Sequence, residues 1–169
     1  MAERTRAATY EDLRHVGQLL EAAGVEYAVI GGYALALQGI VRLTEDVDIL
    51  VRPTVENARR WVRALAELPD GAAKELLGDD TLHLEYYAIR INDEFTVDVM
   101  NSASGYTWDE LFPYRTRVEG LWVISLPGLA LMKQHGRLKD QADVEAIRQV
   151  IDLPAMGGDV ESADGRGPP

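Results

Sequence analysis

Three aspartates stand in this chain where aspartate is locally disfavoured. The run Asp46 to Val51 reads DVDILV, and the run Phe95 to Met100 reads FTVDVM. Both alternate apolar residues with carboxylates and have the β-branched character of strands, in which aspartate is depleted. A period of two places Asp46 and Asp48 on one face of a sheet, roughly 6.5 Å apart at Cα. Like charges so placed repel, and a counter-cation relieves the repulsion. Carboxylate oxygens suit a hard divalent ion such as magnesium. Asp98 repeats the anomaly in a second strand. If the two strands are neighbours, three carboxylates converge, and carboxylate-bridged metal pairs about 3.5–4 Å apart serve phosphoryl and nucleotidyl transfer. Upstream, Gly31-Gly32 ends a short apolar run, Tyr27 to Ile30, and opens a helical pattern. Glycine there lets backbone N–H groups approach a phosphate, and a helix N-terminus adds positive potential.

The elements that must position these residues are legible from periodicity. Leu13, Val16, Leu20 and Ala23 form one face of a helix over Thr9 to Ala23, stopped by Gly24. Tyr27 to Ile30 reads as a buried strand, Tyr33 to Gln38 as a short helix ended by Gly39, and Asp46 to Val51 as a strand closed by Pro53. A helix follows over Thr54 to Leu68, with Thr54 as N-cap, Asn57 at N3, and Val55, Ala58, Val62 and Leu65 as its apolar stripe. A second short helix covers Gly71 to Leu77. Tyr86 to Ile91 and Phe95 to Met100 make a hairpin around Asn92, Asp93 and Glu94, and Tyr114 to Val118 and Leu121 to Ile124 make another around Glu119-Gly120. Helices then run from Pro127 and over Asp140 to Ile151. Strands mixed with helices, several joined as hairpins, predict an α/β (α+β) domain with a mixed sheet and flanking helices over residues 1–153. The Gly/Pro-rich residues 154–169 read as a disordered tail.

The chain has 169 residues, enough for one core, and 47% of them are hydrophobic. There is no cysteine, which excludes disulfides, thiolate metal sites and a cysteine nucleophile. The N-terminus lacks a signal-peptide apolar run, and no stretch is long enough to span a membrane, so the expectation is a cytoplasmic protein. Seventeen basic against 28 acidic residues give a net charge of -11, which disfavours a broad nucleic-acid surface. His15, His83 and His135 lack metal-ligand spacing. Trp61, Trp108 and Trp122 read as core, and Arg59, Arg60 and Arg63 as a solvated helix face.

Gly31-Gly32, then Asp46-Val47-Asp48 on a strand, then Asp98 on another, resembles the DNA polymerase β-like nucleotidyltransferase superfamily. The segment GGYALALQGIVRLTEDVDILV looks like its minimal bacterial members. LPGLALMKQHGRLKDQADVEAI is similar to the C-terminal signature of the abortive-infection-type branch, which includes toxins of toxin–antitoxin pairs. The likeness runs from about Gly24 to Ile151. It implies a polymerase β-like palm fold and a nucleotidyltransferase that binds magnesium or manganese through Asp46, Asp48 and Asp98, with Asp98 also deprotonating the attacking hydroxyl. Many members carry Gly-Ser at the glycine pair, where the serine hydroxyl touches the triphosphate; here only backbone N–H groups serve, as is common in the abortive-infection-type branch.

The same resemblance points to Arg42 and Thr44, just before the acidic strand, and to Lys133 and Lys139 as nucleotide-binding residues. Arg42 could grip a phosphate with its planar fork. Asp140 reads either as part of the site or, with Asp143 three residues on, as a helix N-cap. Arg137 joins Arg42, Lys133 and Lys139 in an expected small positive patch beside the aspartates. The implied partners are a nucleoside triphosphate, an acceptor such as a tRNA 3′ end or a protein, and a cognate antitoxin, with no membrane. The alternatives are a nucleotidyltransferase of small-molecule antibiotics and a non-catalytic nucleotide-binding module on the same scaffold.

Overall fold

The first helix, α1 (Tyr10–Ala22), starts where side-chain chemistry tells it to. The Thr9 hydroxyl accepts from the Asp12 amide while the Asp12 carboxylate accepts from the Thr9 amide, so two orphan donors are satisfied reciprocally. Gly24, at φ +68°, ends the turn. These contacts come from a computed structural model that describes residues 5–84, 88–134, 136 and 138–152. The expected tail, with Arg137, His135 and Tyr86, lies outside the described residues.

Strand β1 (Tyr27–Ile30) runs directly into helix α2 (Gly31–Leu37), which begins two residues earlier than the apolar pattern predicted. Gly31 makes this possible by adopting φ +70°. Strand β2 (Val47–Val51) and helix α3 (Val55–Leu65) follow, with the Thr54 hydroxyl accepting from the Asn57 amide at 3.1 Å. The predicted short helix is a 3₁₀ segment, Ala72–Leu76, and a second one covers Leu82–Leu84. The first hairpin is β3 (Ile89–Asn92) with β4 (Thr96–Met100), its turn one residue later than expected. A two-stranded ribbon, β5 (Ser102–Ala103) with β6 (Tyr106–Thr107), and helix α4 (Trp108–Leu111) were not anticipated, since two-residue strands carry no periodicity. The second hairpin pairs β7 (Arg115–Val118) with β8 (Leu121–Ile124), and Glu119 and Gly120 both take positive φ in its turn. Helices α5 (Leu126–Lys133) and α6 (Leu138–Arg148) close the described chain.

The six strands form one mixed sheet in the order β3-β4-β2-β1-β8-β7, with β2/β4 and β1/β8 parallel and the other neighbours antiparallel. Alternation gives the sheet two different faces. Val51, Ile89 and Val99 meet Ala58 and Trp61 of α3, which packs on α1. On the opposite face Ile30, Asp48 and Met100 lie towards Leu129 and Met132 of α5. Trp61 and Trp108 are buried, as expected for core aromatics. Among the described residues no helix is long and apolar enough to cross a membrane.

Asn57 does more than stand at N3. Its buried amide accepts from the Glu26 N–H at 2.8 Å and donates to the Glu26 and Arg52 carbonyls at 3.0 Å each. It thereby ties the start of β1, the end of β2 and the first turn of α3. Asn57→Ala removes three hydrogen bonds and leaves the Glu26 N–H without a partner, while the Glu26 and Arg52 carbonyls keep the amides of Arg52 and Thr54. Urea denaturation is expected to show a loss of roughly 1–3 kcal/mol.

Candidate active site

Strand register sets two of the three aspartates, Asp48 and Asp98, side by side. Ile30 pairs with Asp48, Asp48 with Asp98 across a parallel ladder, and Asp98 with Arg90 across the β3–β4 hairpin. One row therefore crosses four strands on one face: Arg90, Asp98, Asp48, Ile30. Asp46, two residues before Asp48 and just outside β2, lies beside the row within reach of Arg90.

Arg90 was not singled out in the sequence, and it is the dominant cation here. Its Nε and Nη2 donate to the two oxygens of Asp98 at 2.9 and 3.0 Å, and Nη2 also reaches Asp46 at 3.3 Å. The fork matches a carboxylate bidentately. The pairing with Asp98, and the charges of Asp98 and Asp46, raise the arginine pKa. Asp48 has the opposite problem. Burial, then the like charges of Asp98 and Asp46, push its carboxyl up to about 7, and Arg90 offsets this only in part.

The glycine pair is fitted to these groups. A Cβ on Gly31 would stand 2.2 Å from Asp48 Oδ2, and one on Gly32 would stand 2.8 Å from Thr44 Cβ. Side chains are thus excluded at both positions, and the backbone lies directly against the carboxylate. Thr44 in turn donates its hydroxyl to the Asp46 carbonyl at 3.2 Å, fixing the approach to β2.

The other nominated residues line a cleft of about 580 Å³ beside this row. Arg42 from the loop before β2, Lys133 at the end of α5 and Lys139 on α6 share its wall with Gly31, Gly32 and Thr44. The expected positive patch is a mixed one. Three cations face five carboxylates: Glu45, Asp46, Asp48, Asp140 and Asp143. The Lys133 ammonium donates to Asp143 at 2.8 Å and to Asp140 at 3.2 Å, and Arg42 forms an ion pair with Asp143. Asp143 is thus a buried carboxylate that gathers two cations from separate elements. The N-cap reading of Asp140 is not met, because α6 starts at Leu138 and Asp140 lies inside its first turn. Arg59 and Arg60 lie elsewhere, on Asp80 and Glu56, as a solvated face of α3.

A second chamber of about 350 Å³ shares Gly31, Asp48, Lys133 and Asp140 with the cleft. Its remaining wall is largely apolar, with Met100, Leu129 and Met132 among its residues and Ser102 and Ser104 as polar points. Asp48 stands between a charged compartment and an apolar one.

Among the described residues, no three His, Asp or Glu side chains are already gathered as a metal-holding group. Both Asp98 oxygens are held by Arg90. The donor set itself fits a hard divalent cation. It is all carboxylate oxygen, and Asp48 is held among like charges that a cation relieves.

Comparison with protein-family models and with curated proteins gives no match.

Two outcomes follow from this geometry. Gly31→Ala forces a methyl group into the Asp48 carboxylate at a positive φ, and thermal melting should show a loss of several kcal/mol. The second concerns pH. Asp48 titrates near 7 when folded and near 3.8 as a free side chain, so the folded protein binds the extra proton between those values. Its contribution to stability is therefore full below about pH 4 and is lost as pH rises through about 7. Asp48→Asn removes this dependence. In chelator, chemical denaturation should find the variant more stable than the parent by a few kcal/mol at pH 8. At pH 4 the two should differ by less than about 1 kcal/mol.

Proposed function

We propose that the chain is a divalent-metal-dependent nucleotidyltransferase. The observation that carries this reading is the in-register placement of Asp48 and Asp98 on adjacent parallel strands, with Asp46 bridged to them by Arg90 and Gly31 packed against Asp48. The polymerase β-like resemblance of the same residues adds to it, as does the neighbouring cleft with Arg42, Lys133 and Lys139.

In the proposed reaction an acceptor hydroxyl attacks the α-phosphorus of a nucleoside triphosphate. The new O–P bond forms as the bond to the bridging oxygen breaks, and pyrophosphate leaves with the electron pair. The hydroxyl proton passes to Asp98 once Arg90 has given up its oxygens. Magnesium or manganese held by Asp46, Asp48 and Asp98 supplies charge neutralisation at the reacting phosphate. Backbone N–H groups at the Gly31-Gly32 turn and the side chains of Arg42, Lys133 and Lys139 bind the polyphosphate. The apolar chamber beyond Asp48 is the place for the acceptor.

The setting we favour is the toxin of a toxin–antitoxin pair in the cytoplasm, acting on an RNA end such as tRNA or on a protein. The resemblance to the abortive-infection-type branch carries that setting. One observation favours a second reading. Carboxylates outnumber cations in the cleft, and two of its three cations are already engaged. That balance suits a compact acceptor, including a small-molecule antibiotic, better than an extended polyanion.

The deciding experiment incubates the protein with each labelled nucleoside triphosphate and with total RNA, cell protein and small-molecule pools in turn. Transfer to one pool is expected, abolished by chelator. Asp46→Ala, Asp48→Ala and Asp98→Ala should each lower the rate more than about a hundredfold while the far-UV circular dichroism is kept. Undiminished transfer by all three variants would overturn the assignment.

A further inference from the structure

Arg90 holds the same oxygens that a divalent ion would need. Both of its ion pairs run to carboxylates of the proposed metal set, and its pairing with Asp98 uses both carboxylate oxygens. The exposures of the partners differ sharply. The Asp98 side chain is 9% exposed and cannot turn to solvent, whereas that of Arg90 is 60% exposed. The cation is therefore the mobile partner and the carboxylate the fixed one. Without Arg90, three neighbouring carboxylates would face one another with no compensating charge on their row.

We propose that Arg90 is a built-in counter-ion that competes with the divalent metal for Asp98 and Asp46, keeping the carboxylates assembled when no metal is bound. This rests on the reading of those aspartates as a metal site, but not on the identity of the acceptor. The guanidinium supplies a single positive charge in a planar fork that satisfies Asp98 and touches Asp46. A divalent ion takes the same oxygens only after that fork has swung away. The protein thus trades metal affinity for stability of the metal-free state.

The test is titration of metal-free protein with Mn²⁺ by calorimetry, at low salt, in the parent and in Arg90→Gln and Arg90→Lys. Arg90→Gln removes the competitor and is expected to bind Mn²⁺ at least about tenfold more tightly. Without metal it should melt lower than the parent at pH 8, and Mn²⁺ should raise its melting temperature by more than it raises the parent's. Arg90→Lys keeps the charge but not the fork, and its affinity should fall between the two. If Arg90→Gln does not fold without metal, the parent and Arg90→Lys decide the matter, and equal affinity overturns the proposal. Equal or weaker Mn²⁺ binding by a folded Arg90→Gln overturns it too. Mn²⁺ binding that follows the expected order, with no nucleotidyl transfer to any pool, overturns the transferase reading and supports this one. No Mn²⁺ binding by any of the three proteins overturns both.

Discussion

The repulsion among Asp46, Asp48 and Asp98 is the constraint around which this face of the protein is arranged. A parallel ladder sets Asp48 directly beside Asp98, and the surrounding strands are apolar, so the charges have little water to share. The fold meets the cost in two ways. Arg90 is delivered from the next strand in register with Asp98, and Asp48 is pushed towards neutrality. Neither would be needed by a structural sheet, where a valine at any of these positions would add packing and remove repulsion. A cluster that works against local stability is the kind of feature that functional sites retain.

The second half of the site is assembled by long-range polar clamps. The Gln38 amide, at the end of α2, donates to the Ala34 and Ile124 carbonyls at 2.9 Å each. It also accepts from the Leu126 N–H at 3.1 Å. This joins the glycine-initiated helix to the start of α5, whose far end carries Lys133. Asp143 then draws Lys133 and Arg42 to one point. The cleft wall is thus tied to the sheet through side chains whose partners lie up to 101 residues away in sequence.

What could be read from the sequence divides along the range of the interactions. The β1 strand, the stop of α1 at Gly24, the Thr54 cap of α3 and both hairpins follow from local periodicity and turn chemistry, and they appear where expected within a few residues. The convergence of Asp48 and Asp98 was legible as a condition: two acidic strands that must be neighbours. Arg90 was not legible, because its role depends on where the hairpin turn falls: one residue of turn position moves the pairing by two. A turn at Asn92 to Glu94 sets Arg90 opposite Thr96, whereas the actual turn, one residue later, sets it opposite Asp98. Asp143 looked like a helix-capping partner because its real partners come from another helix and a distant loop. The tight fit of Gly31 to Asp48 was equally hidden, since a glycine pair after a strand reads first as a turn.

The two compartments on either side of Asp48 bear on what the site can accept. The larger one combines cations with carboxylates, so it matches a metal–polyphosphate complex, in which both signs of charge are present. A bare polyanion would meet an excess of carboxylates there, and a bare polycation would meet Arg42, Lys133 and Lys139. The smaller compartment is mostly apolar and has Lys133 as its one cation among the described residues. On the proposed reading, an acceptor that enters it would leave water at the entrance and present its reacting group to Asp48. Burial of an apolar surface there contributes about 25 cal/mol per Å² without any phosphate contact. An RNA acceptor can gain this only through its terminal nucleoside, with the rest of the chain outside the cleft. If the proposed acceptor is an RNA, that geometry would reconcile it with a strongly acidic protein, and recognition would rest on the end of the molecule and not on its length.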